Sequence, residues 1–251
     1  MNSILVSVII FVSIFAAALI GMTFRRFLPE HYLGSDAKEV VRLSTGLIAT
    51  MAALVLGMLV SSANSSYNAG KNEVAEMSSE IVNVDHLLAR YGPDAGELRA
   101  EFRQMVEGGL DRIWSNQTTQ KPQLRPQDHG AILFSQLEHL APTNEVQASV
   151  KAQAVSQVTN LRQIQWLMFL KSEESAVPTP LLVVLVSWLA AIFASFGLFV
   201  PPNPTIIVTL ALGALAVSSA IFIILEMDEP FAGLLRISPT PILEALRQMG
   251  S

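Results

Sequence analysis

Of 251 residues, 51% are hydrophobic and only 15% charged, and the mean hydropathy is +0.45. Such a chain is too apolar for a soluble globular protein, so a lipid bilayer is its expected solvent. A net charge of −5, a pI near 5.4 and the lack of any basic stripe argue against a nucleic-acid partner, and the absence of cysteine excludes disulfides, thiol nucleophiles and cysteine-ligated metals.

Four windows reach the roughly 20 residues of helix that a bilayer requires. They are Ile4–Met22, Thr45–Ala63, Leu181–Val200 and Thr205–Leu225. The first lacks the basic flank of a signal peptide and outruns an h-region, so it reads as a span. The expected fold is all-α: a polytopic membrane protein with four transmembrane helices and a helical extramembrane domain between the second and third. Its expected parts are a first hairpin at 1–63, the helical domain at 64–178, a second hairpin at 179–225, and an acidic exit with an amphipathic C-terminal helix at 226–251.

The second span carries Gly46, Thr50, Ala53, Gly57, Ser61, Asn64 and Asn68 at alternating steps of three and four, apart from one doubled step of four. At about 100° per residue these side chains form one stripe, small throughout and more polar toward one end, with Ile48, Val55 and Leu59 opposite. Two readings stand side by side: small residues allow close helix packing, and a polar stripe suits a pore or water-filled cavity.

Beyond it, Val74, Met77, Ile81, Val84, Leu88 and Tyr91 fall on one helical face, which "YGP" ends because Gly92 suits a C-terminal cap and Pro93 cannot continue the helix. Val150, Ala154, Val158, Leu161 and Met168 make a matching stripe, so the spacing predicts a long antiparallel pair, with shorter helices at Glu97–Trp114 and Ala131–Leu140 between. His86, which follows Asp85 on this helix, reads as solvated, and Trp166 and Phe169 as headgroup anchors. His31, His86, His129 and His139 have no metal-ligand spacing, and no phosphate loop, dinucleotide turn, nucleophile elbow or zinc-protease motif occurs, so no enzyme is expected.

"PPNP", Pro201–Pro204, leaves almost no loop, which makes the third and fourth spans adjacent and antiparallel. The fourth bears a weaker small-residue set, Gly213, Ala216 and Ala220, read as packing. It ends in "FIILEMDEPFAG", with Glu226, Asp228 and Glu229 at the negative pole of the helix, where carboxylates are unfavourable unless solvated or paired with a cation. A solvated exit with an Asp cap and a site for a hard ion such as Ca²⁺ both remain open. Thr240 as N-cap and Pro241 at N1 then start a short helix burying Ile242, Leu243, Leu246 and Met249.

"FLPEHYL", "VVRLSTGLIATMAALVLGMLVSSANSSYNAGKNEV", "LLARYGPDAGELR", "FASFGLFVPPNPT" and "LEMDEPFAGLLRISPTPILEAL" together resemble the bestrophin-like family of bacterial membrane proteins, a domain of unknown function. A fainter similarity runs to bestrophins, pentameric anion channels gated by Ca²⁺, through "LGMLVSSANSSYNAG" and "EMDEPFAG". The first motif departs from theirs, with Ser66, Tyr67, Asn68 and Ala69 where an arginine and tryptophan pair is typical. The resemblance implies a multi-pass homo-oligomer, a pentamer, of the bacterial cytoplasmic membrane that passes inorganic ions. Thr50, Ala53, Gly57, Ser61, Asn64 and Asn68 would line its pore, and Glu226, Asp228 and Glu229 would hold Ca²⁺. It further implies a cytosolic helical domain and termini, with Arg25 and Arg26 outside; the basic residues near the membrane ends are too evenly divided to decide this. The alternative is a non-conducting membrane sensor or scaffold whose helical domain binds a partner.

Overall fold

A computed structural model of the protein describes residues 3–29, 34–114, 129–173, 177–231 and 233–249. His31 and the end of the "FLPEHYL" stretch lie outside them. The elements among the described residues are α1 (Ser3–Phe24), α2 (Ser35–Tyr91), α3 (Gly96–Trp114), α4 (His129–His139), α5 (Glu145–Glu173), α6 (Thr179–Phe199), α7 (Pro204–Asp228) and α8 (Thr240–Gln248), with a 3-10 turn at Pro93–Ala95. All are helical. Four of them, α1, α2, α6 and α7, are long and apolar enough to cross a membrane. The chain divides into two compact units, residues 1–66 with 176–228 and residues 67–175 with 229–251.

The first unit is organised by backbone approach. Gly21 of α1 lies against Ala194 and Leu198 of α6, and Gly197 of α6 lies against Ala18 and Met22 of α1; a Cβ at either glycine would overlap a carbonyl oxygen of the other helix. Both glycines lie near the C-terminal ends of their helices and α1 and α6 pack along their length, so the two run parallel. Lipid tails are as apolar as leucine, so close van der Waals contact rather than hydrophobic burial selects glycine at such a crossing. Helix α1 also packs on α7. Helices α6 and α7 touch through Phe193, whose ring is 3.3 Å from where a Cβ at Gly213 would stand. Phe193 is near the end of α6 and Gly213 well inside α7, so this contact requires the chain to reverse at the prolines. Of the fourth helix's small set, Gly213 packs in this way, Ala220 is half-buried and Ala216 is exposed on this chain. The buried line of α7 is instead Ala214, Ser218, Ile221 and Ile224, which is rotated away from Ala216.

The second unit has a core of large side chains. Val74, Met77, Ile81, Val84, Leu88 and Tyr91 of α2 face Val150, Ala154, Val158, Leu161, Ile164 and Met168 of α5. Burying a Val, Leu, Ile or Met side chain from water contributes about 1.5–3 kcal/mol. The Glu73–Lys171 ion pair at one end and the Gln147 Nε2 donation to the Tyr91 carbonyl (3.1 Å) at the other fix the pair as antiparallel. Gly92 ends α2 at φ +116°, a conformation other residues adopt only under strain. Leu98 and Phe102 of α3, and Leu133 and Leu137 of α4, close the core.

The C-terminal segment completes this unit. Ile237 N–H donates to Pro230 O (2.7 Å), Trp114 Nε1 donates to Ile237 O (2.8 Å), and Ser78 Oγ donates to Pro241 O (2.6 Å). Helix α8 buries Ile242, Ala245, Leu246 and Met249. Leu243 was expected among them but is exposed, because it is rotated about 100° from Ile242 on the short helix. Thr240 is not the N-cap: α8 begins with it, Pro239 precedes it, and Ser238 Oγ accepts its N–H (3.3 Å).

Candidate functional site

Helix α2 presents three chemically distinct faces within the first unit. Thr45, Ala52, Leu59 and Ala63 are buried, with Ile48, Val55 and Leu56 packed beside them. Opposite them Gly46, Thr50, Ala53, Gly57, Ser61 and Asn64 are all exposed, and Asn68 continues this exposed line into the second unit's share of α2. Nothing lies within 4 Å of a Cβ built at Gly46 or Gly57. Along one flank runs a third set, Leu43, Leu47, Met51, Leu54 and Met58, also exposed. The leucines and methionines suit contact with lipid tails. The small polar face does not, because hydroxyl and amide groups are costly to place in hydrocarbon. Among the described residues no helix of the same chain covers that face, so intramolecular packing does not account for it.

Local bonding keeps part of this face tolerant of either solvent. Thr50 Oγ1 donates to the Leu47 carbonyl (2.7 Å), which satisfies its proton within the helix and leaves the oxygen's lone pairs outward. The gradient toward Asn64 and Asn68 means the stripe is most polar where α2 passes into the second unit.

The three carboxylates are placed differently from one another. Glu226 is buried, at 3% exposure, while Asp228 and Glu229 are half-buried. Helix α7 ends at Asp228, and Glu229 is the first residue beyond it. Glu226 and Asp228 themselves are about 200° apart around the axis. No three histidine, aspartate or glutamate side chains gather as metal ligands among the described residues. A calcium ion takes six to eight oxygens, more than any gathered set of these side chains among the described residues supplies.

The strongest charged contact lies elsewhere and has no counterpart in the sequence reading. Asp85, 1% exposed, accepts two hydrogen bonds from Arg99, Nε to Oδ1 at 2.6 Å and Nη2 to Oδ2 at 2.8 Å. Nη2 also donates to the Met249 carbonyl (3.3 Å), so one guanidinium ties α2, α3 and the C-terminal end together. Its hydrogen bonds to Asp85 hold Arg99 above its usual pKa. The available signal was spacing: Asp85 lies four residues after Ile81 and three before Leu88, on the core side, whereas His86 is solvated as expected. Nearby, burial and then the Glu76 charge push the Glu80 carboxyl above the ordinary range, against a hydrogen bond from Asn83.

A family model, the bestrophin-like domain, matches residues 10–242. That match takes in α2 to α7 whole, most of α1, and the first residues of α8. No curated protein and no solved structure matches the chain. With four helices of membrane length the protein is a multi-pass membrane protein, and the chain belongs to the bestrophin-like family.

Proposed function

We propose that the protein is a homo-oligomeric ion channel of bestrophin type, a pentamer in a bacterial cytoplasmic membrane, with α2 lining the path and no catalytic role. The observation that supports this reading is the exposed line of Thr50, Ala53, Gly57, Ser61, Asn64 and Asn68 opposite the packed face of α2. Symmetry turns each residue of such a line into a ring, so small polar groups that are costly in lipid instead face water and passing ions. The adjoining Leu47, Met51, Leu54 and Met58 would meet lipid or the neighbouring copy. Glu226, Asp228 and Glu229 make the exit of α7 negative, and a cation there would be shared between copies. The second unit and both termini are cytosolic in this reading, with Arg25 and Arg26 outside.

Ion release from proteoliposomes, measured beside the mass of the reconstituted protein, tests the proposal. Gly57→Leu should retain the oligomeric mass and lose flux, because the added side chain enters open space. Unchanged flux in an assembled Gly57→Leu protein removes this position from the path.

A second reading is a non-conducting sensor or scaffold. It is favoured by the second unit having a core and a buried ion pair of its own, which conduction does not require. Assembled wild-type protein that passes no inorganic ion would favour it.

A further inference from the structure

We propose that the end of the second unit into which α2 runs is a bilayer-docking surface, where Trp166, Leu170, Leu234 and Leu235 enter the boundary between headgroups and acyl chains and Lys71 and Arg236 pair with lipid phosphates. The first support is convergence. Lys171, at the end of α5, pairs with Glu73, and the side chain of Ile237 lies 3.1 Å from where a Cβ at Gly70 would stand. Gly70 and Glu73 are one turn apart at the start of this unit's share of α2, so the end of α5 and the segment around Ile237 gather at the same end.

The second support is exposure. Leu234 is 73% exposed, Trp166 51%, Leu170 43% and Leu235 42%. Among the described residues, the other exposed large apolar residues of this unit are Leu167, which adjoins Trp166, and Ile132, Val146 and Leu243, which are spread over three helices. Single exposed apolar residues are ordinary, whereas a cluster at one end calls for an occupant.

Chain length identifies that occupant. Seven residues of continuous helix, about 10 Å, separate Gly70 from Ala63, which is buried in the membrane-length part of α2. Six residues, at most about 20 Å, separate Leu234 from the end of α7 at Asp228. Connectivity alone therefore keeps the cluster within these lengths of the membrane-length helices. Tryptophan and leucine beside lysine and arginine is the chemistry of an interfacial surface: the rings and apolar chains enter the boundary, and the basic side chains reach up to the phosphates. Lys171 is engaged by Glu73, so the phosphate contacts are assigned to Lys71 and Arg236. The proposal rests on membrane insertion and is independent of conduction.

The chain has no cysteine, so single sites take a nitroxide label without background. Leu170→Cys, Leu234→Cys and Leu235→Cys, with Gln153→Cys as an exposed site farther along α5, are reconstituted as full-length protein in nanodiscs of phosphatidylcholine and phosphatidylglycerol. Power saturation with oxygen and with a water-soluble nickel chelate then reads depth. The three test sites should show an oxygen-to-nickel accessibility ratio severalfold above that at Gln153. Adding Lys71→Gln and Arg236→Gln to the Leu235→Cys protein should lower the ratio. Ratios equal to that at Gln153 overturn the proposal, as does shielding from both relaxants, which marks a protein partner or a second copy. Either failure leaves the channel reading standing, since a conducting oligomer need not dock this surface.

Discussion

The two units are held together by different means, and the difference follows the solvent each is built for. In the first, α1 and α6 meet at Gly21 and Gly197, where the absence of a side chain brings backbone against backbone. In the second, the stripes of α2 and α5 interlock through Val, Ile, Leu and Met, and the Asp85–Arg99 pair joins α2, α3 and the chain's end. Water drives large apolar side chains together, whereas lipid gives them nothing to gain and leaves packing and polar contacts to decide. Helix α2 belongs to both regimes. Its heptad-like face is fully used in the second unit, while its small polar face in the first is left exposed by its own chain.

The sharpest way to break the contrast is through the buried pair. Arg99→Leu leaves Asp85 charged and buried, which should cost the second unit about 3–5 kcal/mol. Asp85→Asn should cost less, because Arg99 is 35% exposed and can turn to water. Thermal melting of the two variants checks the order, and equal losses would mean the guanidinium is as trapped as the carboxylate.

In the first unit the corresponding lesion is a methyl group. Gly21→Ala or Gly197→Ala forces α1 and α6 apart and should cost about 1–3 kcal/mol, as overpacking does. Gly57→Ala meets nothing and should be close to neutral. Melting in detergent measures both, and a loss at Gly57 comparable to that at Gly21 would place an unseen partner on the small face of α2.

Smaller effects come from the carboxylates. Glu80 has a raised pKa in the folded protein, so its neutral form is favoured by folding. That contribution is complete in acid, below the ordinary glutamate range, and is lost as pH rises through the folded value. Glu80→Gln should therefore raise the melting temperature slightly at neutral pH and leave it unchanged in acid. The reverse pattern would show that the ionised carboxylate is stabilising. Smallest is the response to divalent ions. Because no three acidic or histidine side chains gather as metal ligands among the described residues, a calcium-specific rise in melting temperature is expected only for the oligomer. Equal shifts with calcium and magnesium in the oligomer would leave these residues with no ion-specific role.

Much of this was legible from spacing. The stripes from Val74 to Tyr91 and from Val150 to Met168 repeat every three or four residues for several turns, and Gly92 followed by Pro93 marks where the first must stop. Hydropathy likewise located the four membrane-length helices, since each holds a long apolar window, and α1 and α6 are apolar nearly all round. That same uniformity hid their partners: nothing in the pattern of α1 or α6 favours one neighbour over another, and the pairing rests on Gly21 and Gly197, two small residues among many. Asp85 drew no reading of its own, although its spacing from Ile81 and Leu88 puts it on the core side. At the exit of α7, Glu226 and Asp228 are close in sequence but about 200° apart around the helix axis, as their spacing already implied.

The central claim is that the exposed small face of α2 lines an ion path, and modification from water tests it most directly. Ser61→Cys and, as the control on the large apolar flank, Leu47→Cys are each reconstituted and treated with a small charged thiol reagent while ion flux is recorded. The account predicts rapid modification and loss of flux at Ser61, with no change at Leu47. Full labelling at Ser61 with flux unaltered, or loss at Leu47 alone, would contradict it.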